Sequence, residues 1–318
     1  MESSTELNNM EDNKIEKPSL FGEIEEIEDE VEKSYKQFKK FDMISCHYPF
    51  DHRFVTKSKR IDPESTFAMK IQLEWEILEK HLPCSIFVRA YQERFDLMRV
   101  SIAGLEGTPY CHGLFFFDIF FPSDYPARSP EIFYQSYDLN SNHRDGRVVS
   151  PSLPNFNQWY KQTSRKWNPK QSDILQVLVS IQQHALNGKP YAKESLLPTF
   201  SGGHLKKSNK EVFMLNCAAM IYTLKFPPRH FKDLVEGHFR ERAHSILLIC
   251  KAQMNINNDK ALTQLFFKLL KAFEENGAYC RHHYDIALQE EESSGHPQET
   301  SQSNGFTLKF INKLKNLL

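Results

Sequence analysis

The sequence of 318 residues predicts an α+β fold in which helices pack against one antiparallel sheet. Two observations support this prediction. The predicted elements are a helix, four strands joined by short turns, a long polar segment and then only helices, and this order is typical of an antiparallel meander combined with helices. The third strand-like run, residues 113–121, is apolar at nearly every position, which is typical of a strand covered on both faces.

The first predicted helix begins at Asp62 and ends before Pro83. Asp62 can cap the helix, and Pro63 occupies a position where the first helical N–H would be unpaired in any case. Apolar residues then recur three or four positions apart and form one stripe that can face a core. These residues are Phe67, Ile71, Trp75, Leu78 and Leu82.

The four predicted strands span residues 85–91, 96–103, 113–121 and 131–137. Residues 138–170 follow, with little periodicity and many Asn, Ser, Pro and Arg residues. A loop of this length inside a compact domain is uncommon and usually functional. We therefore expect the functional residues to lie in this segment.

Four further helices are predicted after the long segment. Asn168 and Pro169 repeat the capping pattern of the first helix, and Ser208 with Glu211 forms a capping box at the start of another. The pair Pro227-Pro228 then separates two helices. The predicted helices span residues 168–187, 208–226, 229–251 and 262–273.

The charge of the chain is balanced, with 40 Lys and Arg against 41 Asp and Glu. This balance argues against a protein that binds nucleic acid, which normally shows a basic excess. Residues 1–60 begin with a dense acidic run and few large apolar residues, and we expect them to be largely disordered. The sequence shows no apolar run of membrane-spanning length and no secretory signal pattern, so we expect a soluble protein of the cytoplasm or nucleus.

Residues 289–318 are predicted to form a polar linker followed by a basic amphipathic tail. Apolar residues recur at helical spacing in this tail, and the charged residues among them are lysines. Such a helix could contact a partner or a membrane surface, or it could dock on its own domain. The apolar residues are Phe306, Phe310, Ile311, Leu314, Leu317 and Leu318.

Three prolines at four-residue spacing, Pro122, Pro126 and Pro130, lie between the third and fourth predicted strands. They restrict φ and bias the preceding residues to extended conformations, so the segment should be a rigid link. This segment resembles the strand-connecting proline motif of ubiquitin-conjugating enzymes, the class called E2. Further matches are Trp167 with Pro169, the helix 174–182, and residues 186–191.

The resemblance extends to the large plant branch of the E2 family and covers about residues 66 to 255. Its additional matches are residues 106–110, 113–122, 226–231 and 238–244. It implies the UBC fold, with an N-terminal helix, a four-stranded antiparallel meander and C-terminal helices. We expect the core domain at residues 61–255, and the apolar spacing at residues 262–273 predicts an additional helix within residues 256–288. The implied partners are ubiquitin, the ubiquitin-activating enzyme, and ubiquitin ligases or other E2 proteins, with no cofactor and no metal.

An E2 enzyme accepts ubiquitin on a cysteine as a thioester, because a thiol supplies some thiolate at neutral pH and leaves readily in the second step. The resemblance matches Asn142 to the family asparagine that steadies the charge on the attacked carbonyl, although Ser141 replaces the motif's proline. The Asp-Gly turn at residues 145–146 places the family's catalytic cysteine at Val149. Counting eight residues from the motif without a gap places it at Ser150 instead. Neither residue is cysteine, so no intact nucleophile is expected.

A second departure from the family lies at residues 191–194, which read Tyr-Ala-Lys-Glu where the plant branch carries Tyr-Phe-Asn-Glu. The resemblance places this loop beside the active site, where it desolvates or positions the incoming lysine. Two independent changes at one site favour the loss of selection for catalysis.

The six cysteines are candidates for a substitute nucleophile or for metal ligands. Cys111 precedes His112, but adjacent side chains in an extended chain point apart, so a Cys–His pair is not favoured. Cys217 and Cys250 lie on apolar helix faces and are expected in the core. Cys84 begins the first strand and Cys46 lies before the matched region.

Cys280, His282 and His283 could contribute ligands to a metal ion. No fourth ligand stands at a supporting spacing in the sequence, however. The pattern therefore favours a solvated helix end, and no metal site is expected.

Three functional hypotheses follow. The leading one is a catalytically inactive member of the E2 family that binds ubiquitin, an active E2 or a ligase, or that has retained no role. The second is an active ubiquitin transferase that uses an unrecognised cysteine, for which Cys111 is the least implausible thiol. The third is a scaffold whose acidic and basic tails carry the interactions.

Overall fold

The computed structural model describes residues 29–46, 48–57, 62–135, 153, 156–187, 209–257 and 260–284. The helices are α1 Glu30–Lys36, α2 Thr66–His81, α3 Phe156–Ser164, α4 Ile174–Ser180, α5 Asn209–Lys225, α6 Lys232–Asn257 and α7 Lys260–Glu275. The strands are β1 Phe41–Ile44, β2 Ile86–Tyr91, β3 Arg94–Ala103, β4 Leu114–Phe120 and β5 Glu131–Tyr134. A π-helical turn, Ile181–Ala185, extends α4. In the part of the chain that the structure describes, no helix is both long enough and apolar enough to cross a membrane.

The strands form one mixed sheet in the order β1-β2-β3-β4-β5. Strands β2 to β5 pair antiparallel with their neighbours, so the predicted four-stranded meander is confirmed. The sheet has one strand more than predicted, because β1 pairs parallel with β2, with Phe41 opposite Val88. The fold class, α+β, is as predicted.

Helix α1 and strand β1 lie within residues 1–60, so the expectation of disorder is wrong for residues 29–46 and 48–57. The side chain of Asp29 caps α1 by accepting a hydrogen bond from the Val31 N–H at 2.8 Å. Glu30 and Glu32 lie in the first turn, where the helix dipole favours acidic groups. Strand β1 is held by the open edge of β2, where the Val88 N–H donates to the Lys40 carbonyl. Residues 1–28 lie outside the described residues.

Two predicted helix starts are wrong, because a nearby residue provides the cap. Helix α2 is capped by Ser65, whereas the side chain of Asp62 accepts a hydrogen bond from the Glu64 N–H in the preceding turn. Asn168 likewise accepts from the Lys170 N–H in a turn of its own, and α4 begins later, capped by Asp173. Asp and Asn side chains favour such local turns, which compete with helix capping.

Helix α3 lies inside residues 138–170, which were predicted to be a loop. The Phe156 and Tyr160 rings stack on one face of α3 with centroids 6.0 Å apart, and Phe156 also contacts Phe117 of β4 at 5.3 Å. Since α3 is only nine residues long, its apolar face repeats too few times to be recognised in the sequence. The helix is held by its contact with the sheet.

Two hydrophobic clusters lie on opposite faces of the sheet, and β4 contributes to both. Phe115 and Phe117 join the cluster that contains α2 and α4, whereas Leu114 and Phe116 join the cluster that contains α5, α6 and α7. The prediction that this strand is covered on both faces is therefore confirmed. Helix α7 packs on α5 and α6 through Leu262, Phe266, Leu269, Leu270 and Phe273.

Candidate functional site

The residues that the sequence singled out for catalysis lie outside the described residues. This holds for Asn142, Val149 and Ser150, and also for residues 191–194. The structure does describe both flanks of the segment that carries the first three. On one side Gln135 follows β5, its backbone N–H donating to the Phe116 carbonyl at 2.8 Å. On the other side Leu153 is buried in the cluster under α2 and α4, so both flanks are anchored to the sheet.

The proline segment between β4 and β5 is held by one side chain from α3 and one from the turn that follows α3. The Trp167 indole N–H donates to the Pro126 carbonyl at 2.7 Å, and the Tyr160 hydroxyl of α3 donates to the Pro130 carbonyl. Two parts of the family motif that are 41 positions apart in the sequence are thus in direct contact. This contact supports the rigid link that the three prolines predict.

Glu74 of α2 joins that segment to the start of α4. Its carboxylate accepts hydrogen bonds from the Tyr125 hydroxyl and from the Ile174 N–H, the latter at 3.0 Å. Burial raises the pKa of Glu74, although both donors favour the ionised form. The Glu74 carboxylate connects α2, the proline segment and the start of α4, and it does not face solvent, so its role is structural.

A second buried polar group lies on the other face of the sheet. Arg99 of β3 donates two hydrogen bonds to the carboxylate of Asp118 on β4, at 2.7 and 3.2 Å. Burial alone would raise the pKa of Asp118, but Arg99 beside it lowers the pKa below its ordinary value. The Arg53 N–H also donates to Asp118, so this pair holds residues 48–57 against the sheet.

Cys111, the least implausible alternative nucleophile, is buried in the connection between β3 and β4. The Asn216 side-chain amide of α5 donates to its carbonyl at 3.1 Å. Burial and the nearby carboxylate of Glu106 raise the pKa of the Cys111 thiol. The prediction assumed an extended chain here, but His112 has φ of 60°, so the two residues lie in a turn. A buried thiol with a raised pKa is a poor nucleophile.

The other described cysteines are distributed between core and surface. Cys217 and Cys250 are fully buried between α5 and α6, which confirms their predicted core position, and burial raises the pKa of Cys217 well above its ordinary value. Cys84 is exposed just before β2, and Cys46 is half-buried just after β1.

Cys280 is also buried, and burial raises the pKa of its thiol to about 11. His283 is buried as well, so the prediction of a solvated helix end is wrong. The reason is that the chain after α7 turns back onto α6. There His282 and His283 meet His244, a residue 38 and 39 positions away in the sequence. Sequence reasoning missed His244, because no spacing signal links residues so far apart.

Comparison with known proteins agrees with this architecture. The sequence model of the family described as "Ubiquitin-conjugating enzyme" matches residues 70–215. Ubiquitin-conjugating enzyme E2 38 of Arabidopsis thaliana is 39% identical over 227 residues, which cover 70% of this chain and 69% of that protein. Ubiquitin-conjugating enzyme E2 39 of the same plant is 37% identical over 231 residues, which cover 70% of this chain and 71% of that protein.

The chain belongs to the ubiquitin-conjugating enzyme family. The resemblance predicted from the proline segment and Trp167 is therefore confirmed, together with the UBC fold that it implies. Some relatives are much longer. Ubiquitin-conjugating enzyme E2 23 of Arabidopsis thaliana is 41% identical over 225 residues, and this match covers 68% of this chain but only 20% of that protein.

Proposed function

We propose that this chain is a catalytically inactive member of the ubiquitin-conjugating family, which binds proteins of the ubiquitin pathway without carrying ubiquitin itself. The observation that carries the proposal is the residue at the family's cysteine position, which is Val149 or Ser150. Valine offers no nucleophile. A serine hydroxyl is far less acidic than a thiol, and the oxyester that it would form reacts poorly with amines.

The described thiols support this proposal because none of them is suited to replace the missing one. A reactive cysteine is accessible and has a lowered pKa. Cys111, Cys217 and Cys280 are buried and have raised pKa values. Cys250 is fully buried beside Cys217.

The remaining two thiols are at least partly exposed, and both lie across the sheet from β5, the strand that precedes Val149 in the sequence. Cys84 lies just before β2, which is three strands away from β5 in the sheet order, a lateral distance of about 14 Å at about 4.8 Å per strand. Cys46 follows β1, which is one strand further away.

The proposal also rests on the structural contacts that this chain retains around the segment that carries Val149. Gln135 and Leu153 anchor the flanks of the segment, and the contact between Trp167 and Pro126 holds the adjacent connection. A family member that keeps this frame while lacking the thiol retains surfaces for partners of the pathway and loses only the covalent step. Ubiquitin, its activating enzyme and its ligases are the proposed partners.

The test is a charging assay with activating enzyme, ATP and ubiquitin, read on a gel with and without reductant. We expect the unaltered chain to form no reductant-sensitive adduct. Val149→Cys and Ser150→Cys serve as positive arms, and we expect one of them to form such an adduct. A reductant-sensitive adduct on the unaltered chain would overturn the proposal, and Cys111→Ser and Cys84→Ser would then locate the nucleophile.

Binding is tested separately, by co-precipitation of the unaltered chain with ubiquitin and with activating enzyme. We expect capture to persist when residues 1–28 and 289–318 are both deleted, because the proposal places binding on the core. Loss of all capture on that deletion would favour the scaffold hypothesis, in which the tails carry the interactions.

A further inference from the structure

Three histidines converge where the chain after α7 meets α6. Nδ1 of His244 lies 2.9 Å from Nε2 of His283 and 3.2 Å from Nε2 of His282. One ring nitrogen of each residue lies within 4.8 Å of the others. The cluster belongs to the C-terminal helices, on the face of the sheet opposite α2 and α4.

Hydrogen bonds among the three histidine rings cannot satisfy all of the converging ring nitrogens. A neutral imidazole has one N–H and one lone pair, so Nδ1 of His244 either donates one proton or accepts with one lone pair. It cannot make two well-directed bonds to His282 and His283 at once. Nε2 of His283 is the atom that faces His244, whereas Nδ1, on the other side of that ring, is buried without a hydrogen-bond partner in the described ranges and would not contact an ion at the cluster. A cation that accepts three lone pairs would satisfy all three converging nitrogens.

The spacing of the three nitrogens suits a small transition-metal ion. Zinc binds imidazole nitrogen at about 2.0–2.1 Å in tetrahedral geometry, which sets ligand nitrogens about 3.3 Å apart. The two nitrogen–nitrogen distances here, 2.9 and 3.2 Å, reach that value with small side-chain rotations. Since His244 is exposed and His283 is buried, the cluster is open to solvent on one side, where water can take a fourth position.

The local charges are compatible with metal binding of moderate strength. Neutral imidazole, which has a free lone pair, is the form of histidine that binds metals. The Lys251 ammonium also repels a divalent cation, so we expect micromolar rather than picomolar affinity.

We propose that His244, His282 and His283 form a binding site for a divalent transition-metal ion, with zinc as the cellular ion, which joins the turn after α7 to α6. Imidazole ligands suit zinc, copper and nickel, and geometry and availability decide among them. The role is structural, because the ion would hold two elements that otherwise meet through side-chain packing. The proposal is independent of whether the chain transfers ubiquitin.

The test uses the full chain, stripped of metal with a chelator and then titrated with zinc in a calorimeter. We expect one zinc ion per chain with a micromolar dissociation constant, and a higher thermal midpoint with zinc than without it. The double variant His244→Gln, His282→Gln should bind at least tenfold more weakly and should show no zinc-dependent rise. A matched control is His81→Gln, His184→Gln, which removes two histidines outside the cluster and should bind zinc like the unaltered chain.

Cobalt binding gives a second readout, because three imidazole ligands produce visible absorption bands that the double variant should lack. The circular dichroism spectrum shows whether each variant is folded. Failure of the unaltered chain to bind zinc at micromolar concentration would overturn the proposal. Equal affinity of the His244→Gln, His282→Gln variant would do so too, since the three histidines would then be only a hydrogen-bonded cluster.

Discussion

Arg99 and Asp118 lie opposite each other on β3 and β4 and form a doubly hydrogen-bonded ion pair with each side chain 1% exposed. The pair lies beneath residues 48–57, which close over it through the Arg53 N–H and the carboxylate of Asp51. It therefore helps to hold residues 48–57 against the sheet.

Replacing Asp118 should be destabilising, because buried Arg99 loses two hydrogen bonds and keeps Asp51, whose side chain is 32% exposed, as its ion-pair partner. We expect Asp118→Asn to lower the free energy of unfolding by about 2–3 kcal/mol, measured by urea denaturation. The control is Asp124→Asn, which removes an exposed carboxylate paired with Arg128 and should change stability little. Equal effects of the two substitutions would show that the Arg99–Asp118 pair is not desolvated in solution.

The docking of α7 can be tested with two phenylalanines of different burial. Phe266 is fully buried against α5 and α6, so Phe266→Ala should lower the free energy of unfolding by about 3–5 kcal/mol. Phe226 is 52% exposed, and Phe226→Ala should cost much less. Thermal or urea denaturation measures both. If Phe266→Ala also had a small effect, α7 would not be part of the cooperative unit.

The stability of the chain should fall in mild acid because of His238. Burial lowers its pKa from the ordinary 6.5 to about 3, and Arg242 contributes in the same direction, while the hydrogen bond to the His112 carbonyl opposes them. As the pH falls below 6.5 the unfolded chain binds a proton at this residue and the folded chain does not. The stabilising contribution is therefore complete above about pH 6.5 and is lost progressively toward pH 3.

For His238 alone the loss amounts to about 2 kcal/mol between about pH 7.5 and pH 5. The measurement compares urea denaturation at the two pH values for the unaltered chain and for His238→Gln, whose amide can still donate to the carbonyl. We expect the variant to lose this part of the pH dependence, whereas His81→Gln, at the exposed end of α2, should keep it. A variant with the full pH dependence of the unaltered chain would contradict the assignment to His238.

Much of the fold could be predicted because its signals are local. The apolar run of β4 indicated a strand covered on both faces, and the three prolines indicated the rigid link that Trp167 is now seen to hold. The errors have a local cause as well. The helix starts at Asp62 and Asn168 were misplaced because those side chains hydrogen bond within turns, and a capping residue a few positions on begins the helix.

For the acidic N-terminal segment, amino-acid composition led to a wrong prediction of disorder. The sequence predicted disorder through residue 60 because charge is dense and apolar residues are few. Strand β1 forms because β2 offers it an unpaired edge, and the Arg89 guanidinium lies 3.9 Å from the centre of the Phe38 ring and donates to the Lys39 carbonyl. These partners are about 50 residues away in the sequence, so the composition of the N-terminal segment does not predict the contacts.

The sequence by itself determined the family, since that conclusion depends on the identity of residues within short motifs, and it predicted valine or serine at the position of the family's cysteine. Only the tertiary structure decided which polar groups meet. The contact of His244 with His282 and His283, and the burial of Cys111 and Cys280, arise when helices distant in the chain pack on one sheet. Packing is set by the whole core, and no local pattern of residues encodes it.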